Sequence, residues 1–196
     1  MWKIILDWDD TILPTTVLKN KVGTINITTG PVDIIVRNSL RHHTAVAIAF
    51  LTIALQSGDV VIITAADMDW VLLTCDRWLP ALLPIVQGMK IIYARSYGAS
   101  YCNDPTKWKE AAFYYELVHN GKLMYRGAIS IGDSNYEREA LIRVTKDLCL
   151  GKSIKLLYSP SINEITRQLE LICLWLSPLV RAECDLDLCV KIEYLE

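Results

Sequence analysis

An α/β fold, with a mostly parallel sheet between two layers of helices, is what this 196-residue chain predicts. Three observations carry that expectation. Short apolar, β-branched runs alternate along the chain with longer helical patterns, an order that parallel sheets covered on both faces produce. Each run after the first follows a turn signal: "SGD", "QGM", "YRG" and "LGK". The chemically conspicuous residues then come directly after the runs, where an open parallel sheet places its functional crevice.

Taken in order, the strand runs are residues 2–6, 60–64, 90–93, 128–131 and 154–158. Helical patterns fill residues 39–56, 69–86, 105–119, 136–147 and 162–180. Asp104 followed by Pro105 reads as an N-cap and a first helical residue. Residues 14–36 contain "KVGTINITTGPVDII", which reads as a β-hairpin flap around a glycine-containing turn. The closing "DLDLCVKIEY" alternates with period two and predicts an edge strand over residues 186–194. With no repeat or linker, residues 1–196 read as one domain, doubly wound, three-layered and Rossmann-like.

Composition narrows the function classes. Hydrophobic residues make up 52% and charged ones 21%, with a net charge of −2, so the chain is globular. It has no clustered Lys/Arg footprint for nucleic acid. The longest apolar stretch, residues 45–55, is shorter than the roughly 20 residues a bilayer span needs. The start of the chain lacks a signal-peptide pattern, so a soluble cytoplasmic protein is expected, without membrane contact. Six scattered cysteines form no Cys-x-x-Cys pair and read as small hydrophobes.

The rim of the predicted sheet carries the chemistry. Asp7, Asp9 and Asp10 follow the first run in "KIILDWDDTILPT", Thr64 ends "VVIIT", and Asp133 and Glu137 lie in "GDSNYE". Lys107 and Lys109 open a helix in "DPTKWKEAAF". In this order the residues resemble the motifs of the haloacid dehalogenase (HAD) superfamily of phosphohydrolases. "LDWDDTILPT", "WVLLTCDRWLP", "ARS" and "DPTKWKEAAF" look like a little-characterised subgroup in plants and single-celled eukaryotes. The motifs span residues 7–137, about two thirds of the chain.

The resemblance implies a Mg²⁺-dependent phosphatase working through an aspartyl-phosphate. Asp7 would be the nucleophile and Asp9 the general acid and base. Asp7, Asp133 and the backbone carbonyl of Asp9 would hold Mg²⁺, a hard ion suited to carboxylates and phosphate oxygens. Thr64, the amide of Ala65 and a lysine would bind the phosphoryl group. The subgroup likeness favours Lys109, with Lys107 the alternative. Glu137 would support the metal site, and Thr11 would brace the loop carrying Asp9.

Plainer roles compete for the same residues. Asp133-Ser134-Asn135 can cap the following helix, and Asp67 and Asp69 read as caps and not as ligands. His42 and His43 read as a partly exposed helix start, and the six tryptophans as core. Neither motif gap holds enough chain for a cap domain, so the protein resembles the capless type. Its substrate would be a phosphorylated protein or a small metabolite, with the 97–103 loop or a partner protein as lid. A catalytically weak phosphoprotein-binding or scaffold module is the alternative reading. A phosphotransferase gives the same pattern. The apolar helices leave room for a homodimer.

Overall fold

A computed structural model of the chain describes residues 1–98, 104–119 and 121–191. In chain order the elements are β1 (Trp2–Leu6), α1 (Thr15–Val22), α2 (Ile34–Ser39), α3 (Arg41–Ser57), β2 (Asp59–Thr64), α4 (Trp70–Trp78), α5 (Leu83–Gln87), β3 (Lys90–Tyr93) and α6 (Ala94–Gly98). There follow α7 (Pro105–Leu117), β4 (Val118–His119), β5 (Lys122–Leu123), β6 (Gly127–Gly132), α8 (Asn135–Thr145), β7 (Leu150–Lys155), α9 (Ile162–Arg181) and β8 (Leu186–Cys189). Six strands form one parallel sheet in the order β3-β2-β1-β6-β7-β8, compatible with a Rossmann-like fold.

Side-chain alternation explains why the central strands are apolar on both faces apart from buried Lys3 and Ser130. Ile4, Leu6, Val60, Ile62, Ile129 and Ile131 enter one buried cluster. Their neighbours Ile5, Val61, Ile63 and Ala128 enter the other, on the opposite face. The first cluster takes the Ala47, Phe50, Leu51 and Ala54 stripe of α3 and Leu169, Ile172 and Leu176 of α9. The second takes Ala112 and Phe113 of α7 with Ala140, Leu141 and Val144 of α8. Such spacings of three and four residues put one helix face on the sheet. Ser134 and Ser161 start α8 and α9 with reciprocal capping boxes to Glu137 and Glu164.

Several sequence expectations need correction. Residues 14–36 are not a hairpin: they form α1, a 3₁₀ turn at Ile25–Ile27 and the start of α2. Gly23 and Gly30, at φ 82° and 72°, punctuate this helical path and do not turn a hairpin. The carbonyls that a strand partner would have bonded are taken by α4: Arg77 Nη2 donates to those of Thr29 and Gly30, and Trp78 Nε1 to that of Ile27. The expected helix over residues 69–86 breaks into α4, a 3₁₀ turn at Pro80–Leu82 and α5, because Pro80 cannot continue α4. The 154–158 strand starts four residues earlier and ends three earlier, as β7. Its buried Lys152 is accommodated at the C-terminal end of α9, donating to the carbonyls of Leu179 and Ala182, with Nζ 3.8 Å from the Trp2 ring centroid. The 105–119 helix ends at Leu117, and β4 and β5 form a small antiparallel hairpin.

The edge strand is present as β8, while residues 192–194 lie outside the described part. Most of the 97–103 loop also lies outside it. Of the tryptophans, Trp2, Trp8 and Trp78 are core, whereas Trp70 and Trp108 are half-buried and Trp175 is exposed. Among the described residues, no helix is long and apolar enough to cross a membrane.

Candidate functional site

The C-terminal ends of β1, β2 and β6 lie side by side in the sheet. The ladder runs one residue past β1, with Asp7 N donating to Ile131 O at 3.0 Å. The chain then turns sharply: the carbonyl of Trp8 accepts from Ile12 N at 2.9 Å and Leu13 N at 3.0 Å. Trp8 anchors this turn in the core, donating from Nε1 to Thr74 Oγ1 of α4 at 3.0 Å. Asp10 sits in the left-handed region at φ 52°, and its carboxylate accepts from Thr16 N and Thr16 Oγ1. It thus does for α1 what Pro14, the residue at the N-cap position, has no side-chain acceptor to do.

Asp7, Asp133 and Glu137 are buried, and each offers a carboxylate oxygen within 4.8 Å of the others. Lys109 reaches them from α7, its Nζ donating to Asp7 Oδ1 at 2.8 Å and to Glu137 Oε1. Lys107 does not join the group: it is exposed and pairs with Glu110. The other oxygen of Glu137 accepts from Ser134 N and Ser134 Oγ, so both of its oxygens are engaged. Gly132 makes room for this carboxylate. A Cβ there would lie 2.7 Å from Glu137 Cγ and 3.0 Å from Oε2.

Asp9 is half-buried and held on one side. Its Oδ1 accepts from Thr15 Oγ1 at 2.5 Å and from Trp70 Nε1 at 2.9 Å. Thr11, expected to brace this loop, is buried with no hydrogen-bond partner for its hydroxyl among the described residues. Thr15 and Trp70 supply the bracing instead, and sequence reasoning missed both. It also missed Lys155, whose Nζ donates to the carbonyls of Asp133 and Leu156. Thr64 is buried at the end of β2, its Oγ1 accepting from Ala66 N at 3.1 Å, and Ala65 beside it is exposed.

The expected caps and helix start also differ. Asp69 occupies the N-cap position of α4 without a side-chain hydrogen bond, and Asp67 pairs with Arg95. His43 is not a partly exposed residue. It is buried, with Nε2 2.7 Å from Ile12 O and Nδ1 3.1 Å from Thr166 Oγ1, while His42 is exposed beside Glu170.

Charge does not balance at the strand ends. Among the described residues, five carboxylates (Asp7, Asp9, Asp10, Asp133 and Glu137) meet Lys109, Lys155 and, at Asp9, Lys19. Burial pushes Asp7 well above the usual carboxylate range, against the pull of Lys109. Burial, then the charges of Glu137 and Asp10, raise Asp133 to about 7. Burial also raises Asp9, in part offset by its bonds from Thr15 and Trp70. Glu137 goes the other way: burial opposes its ionisation, but the Lys109 charge together with the hydrogen bonds from Lys109 and Ser134 outweighs it. Lys109 is held protonated, since Asp7 and Glu137 overcome its desolvation.

This arrangement fits a divalent cation. Asp7 has one oxygen free of Lys109, and no donor reaches the Asp133 carboxylate among the described residues. Both carboxylates resist ionising chiefly because they are buried, a cost that a bound cation with oxygen ligands would offset. Compared with protein-family models, curated proteins and solved structures, the chain gives no match.

Proposed function

We propose that this chain is a Mg²⁺-dependent phosphatase of the HAD type that hydrolyses a phosphate monoester through an aspartyl-phosphate. The observation that carries the reading is Lys109. It arrives from 102 residues away to bond Asp7, at the point where Asp7 and Asp133 also converge. A carboxylate nucleophile, a buried lysine and a second acidic strand end are the parts needed to receive a dianionic group.

In this reading Asp7, Asp133 and the carbonyl of Asp9 hold Mg²⁺, and Glu137, whose oxygens are both engaged, acts through Lys109. Bound Mg²⁺ supplies charge neutralisation for Asp7 and the phosphoryl oxygens. The free oxygen of Asp7 attacks phosphorus as the bond to the leaving oxygen breaks. Asp9 gives that oxygen its proton. The proton sits on Oδ2, because Oδ1 already accepts two hydrogen bonds, and the raised pKa of Asp9 favours the protonated form at the start. Asp9 then takes a proton from water, which attacks phosphorus and breaks the bond to Asp7, returning Asp7 to a carboxylate and Asp9 to its protonated form. Thr64, the amide of Ala65 and Lys109 grip the phosphoryl oxygens.

The segments between the strands support a capless site. Residues between β1 and β2 are used by α1, α2 and α3, and those between β2 and β3 by α4, the 3₁₀ turn and α5. An open rim suits a phosphorylated protein as well as a metabolite. The test is hydrolysis of an aryl phosphate with Mg²⁺, with EDTA, and by Asp7→Asn, alongside calorimetric Mg²⁺ binding. Metal-dependent release that vanishes in the variant is expected. Undiminished release by Asp7→Asn refutes the mechanism. Mg²⁺ binding without turnover of any phosphate ester replaces the enzyme by a phosphoprotein-binding module.

A further inference from the structure

The far edge of the sheet carries surface that the fold itself does not use. Beyond its buried stripe, α9 bears a second apolar one, Leu171, Leu174 and Trp175, exposed by 40%, 74% and 56%. An apolar groove of about 250 Å³ joins this stripe to β8, lined by Leu171, Trp175, Leu179, Leu188 and Val190. β8 ends the sheet, and no strand among the described residues pairs with its outer side.

We propose that this edge is where two copies of the chain join, β8 against β8 in antiparallel fashion, about a two-fold axis at Leu188. The backbone sets the register. Val190 N donates to Lys155 O, so Leu186, Leu188 and Val190 turn their peptide groups toward β7. By alternation Asp187 and Cys189 turn theirs outward. A two-fold axis normal to the sheet requires each residue to face a partner on the same side of the sheet, so the axis passes through a residue and not between two. Centred on Asp187, the pairing sets two like charges opposite each other, which is unfavourable, and centred on Cys189 it draws Asp187 toward Lys191 and away from Arg138. Centred on Leu188, it pairs Asp187 with Cys189 of the second copy through both outward peptide groups. Leu188 then meets Leu188 in a close non-hydrogen-bonded pair. Leu186 meets Val190, and Asp185 comes opposite Lys191, a complementary charge pair made twice. Lys191 has no acidic partner within its own chain among the described residues. The same axis brings both α9 stripes to one face, where Leu174 and Trp175 of each copy cover those of the other. Asp187 keeps its bond to Arg138 on the opposite face. The twelve-stranded sheet so formed points its two carboxylate clusters in opposite directions and leaves both open.

Sedimentation equilibrium of the wild-type chain at micromolar concentration should give a dimer. Leu188→Lys places two ammonium groups across the axis and should weaken it by roughly tenfold or more. Leu188→Cys, in a Cys184→Ser/Cys189→Ser background, should give a disulfide-linked dimer on mild oxidation, since Cα atoms of a non-hydrogen-bonded pair lie about 4.5 Å apart. A wild-type monomer, as when another segment covers the edge, overturns the proposal. So does a dimer that Leu188→Lys leaves intact and Leu188→Cys does not cross-link.

Discussion

Replacing Lys109 by Met tests the electrostatics of the site apart from any catalysis. The ammonium is buried, with 3% exposure, and bonds one oxygen each of Asp7 and Glu137. Met keeps the length of the stem and removes the charge. Two buried carboxylates then face each other with nothing between them. Breaking a buried pair from one side costs about 3–5 kcal/mol, a factor of a few hundred to a few thousand in the unfolding constant. A domain with more than about 6 kcal/mol of the usual roughly 5–15 kcal/mol to lose stays folded but weakened. The sign of the pH dependence follows from Glu137. Lys109 holds its pKa below the ordinary value, so it contributes stability above its unfolded pKa that is lost as pH falls through the folded one. In the variant that contribution disappears, and protonating the orphaned carboxylates relieves it. Between pH 8 and 5 that wild-type contribution stays in place, so the change comes from the variant, whose orphaned carboxylates take up protons as the pH falls: the loss is largest near pH 8 and shrinks toward pH 5. Urea unfolding in EDTA at both pH values measures it, with Lys107→Met, an exposed lysine, as the control expected within about 0.5 kcal/mol of wild type. Saturating Mg²⁺ should restore part of the loss, since binding the folded state alone stabilises it. A loss below about 1 kcal/mol at pH 8, or one that does not change with pH, refutes the charge balance drawn for the site.

Gly132→Ala adds one methyl with no change of charge. At 2.7 Å from Glu137 Cγ it must push that side chain off both Ser134 and Lys109, costing about 1–3 kcal/mol by urea unfolding and weakening Mg²⁺ binding by calorimetry. Full stability and unchanged binding would show that Glu137 does not need its place. His43 is held neutral by burial, its pKa below the unfolded value, so the stability it contributes is full above about pH 6.5 and falls as the solution is acidified below it. Melting of wild type and His43→Gln between pH 7 and 5 should show the wild type losing more; parallel curves would place His43 in a wetter setting.

How far the sequence could carry these conclusions depended on where each residue's partners lie. β1, β2 and β6 are legible because burial on both faces favours Ile, Val, Leu and small residues, and β3, at the sheet edge, because Ile91-Ile92 follows a glycine turn. β7 starts four residues before the expected strand because Gly151 followed by Lys152 reads as a turn. The groups that permit a buried ammonium there, the carbonyls of Leu179 and Ala182 and the ring of Trp2, lie far away in sequence. The 14–36 segment failed for a related reason. Its alternation of Ile and Thr resembles a strand, but Arg77 and Trp78 claim the carbonyls a hairpin would have used.

The candidate site divides along the same line. Asp7, Thr64 and Asp133 could be placed because strand ends in a parallel sheet share one rim, whatever else the chain does. Choosing Lys109 over Lys107 needed more than a helix start, since two residues of spacing on a helix turn the side chain by roughly 200°. Lys109 meets Asp7 and Glu137, while Lys107 points to Glu110 in solvent. Nothing local marks Thr15 or Trp70 as partners of Asp9. Thr15 lies in the segment whose pattern reads as a hairpin and reaches back across the turn to Asp9, and Trp70 arrives from the helix after β2. Asp10 shows the converse. It stands among carboxylates that look equivalent in sequence, yet its oxygens belong to Thr16 and the first turn of α1. The residue types at the rim therefore limit which chemistry is available there. Which carboxylate is free to perform it is decided by donors that only the packing of α1, α4 and α7 delivers.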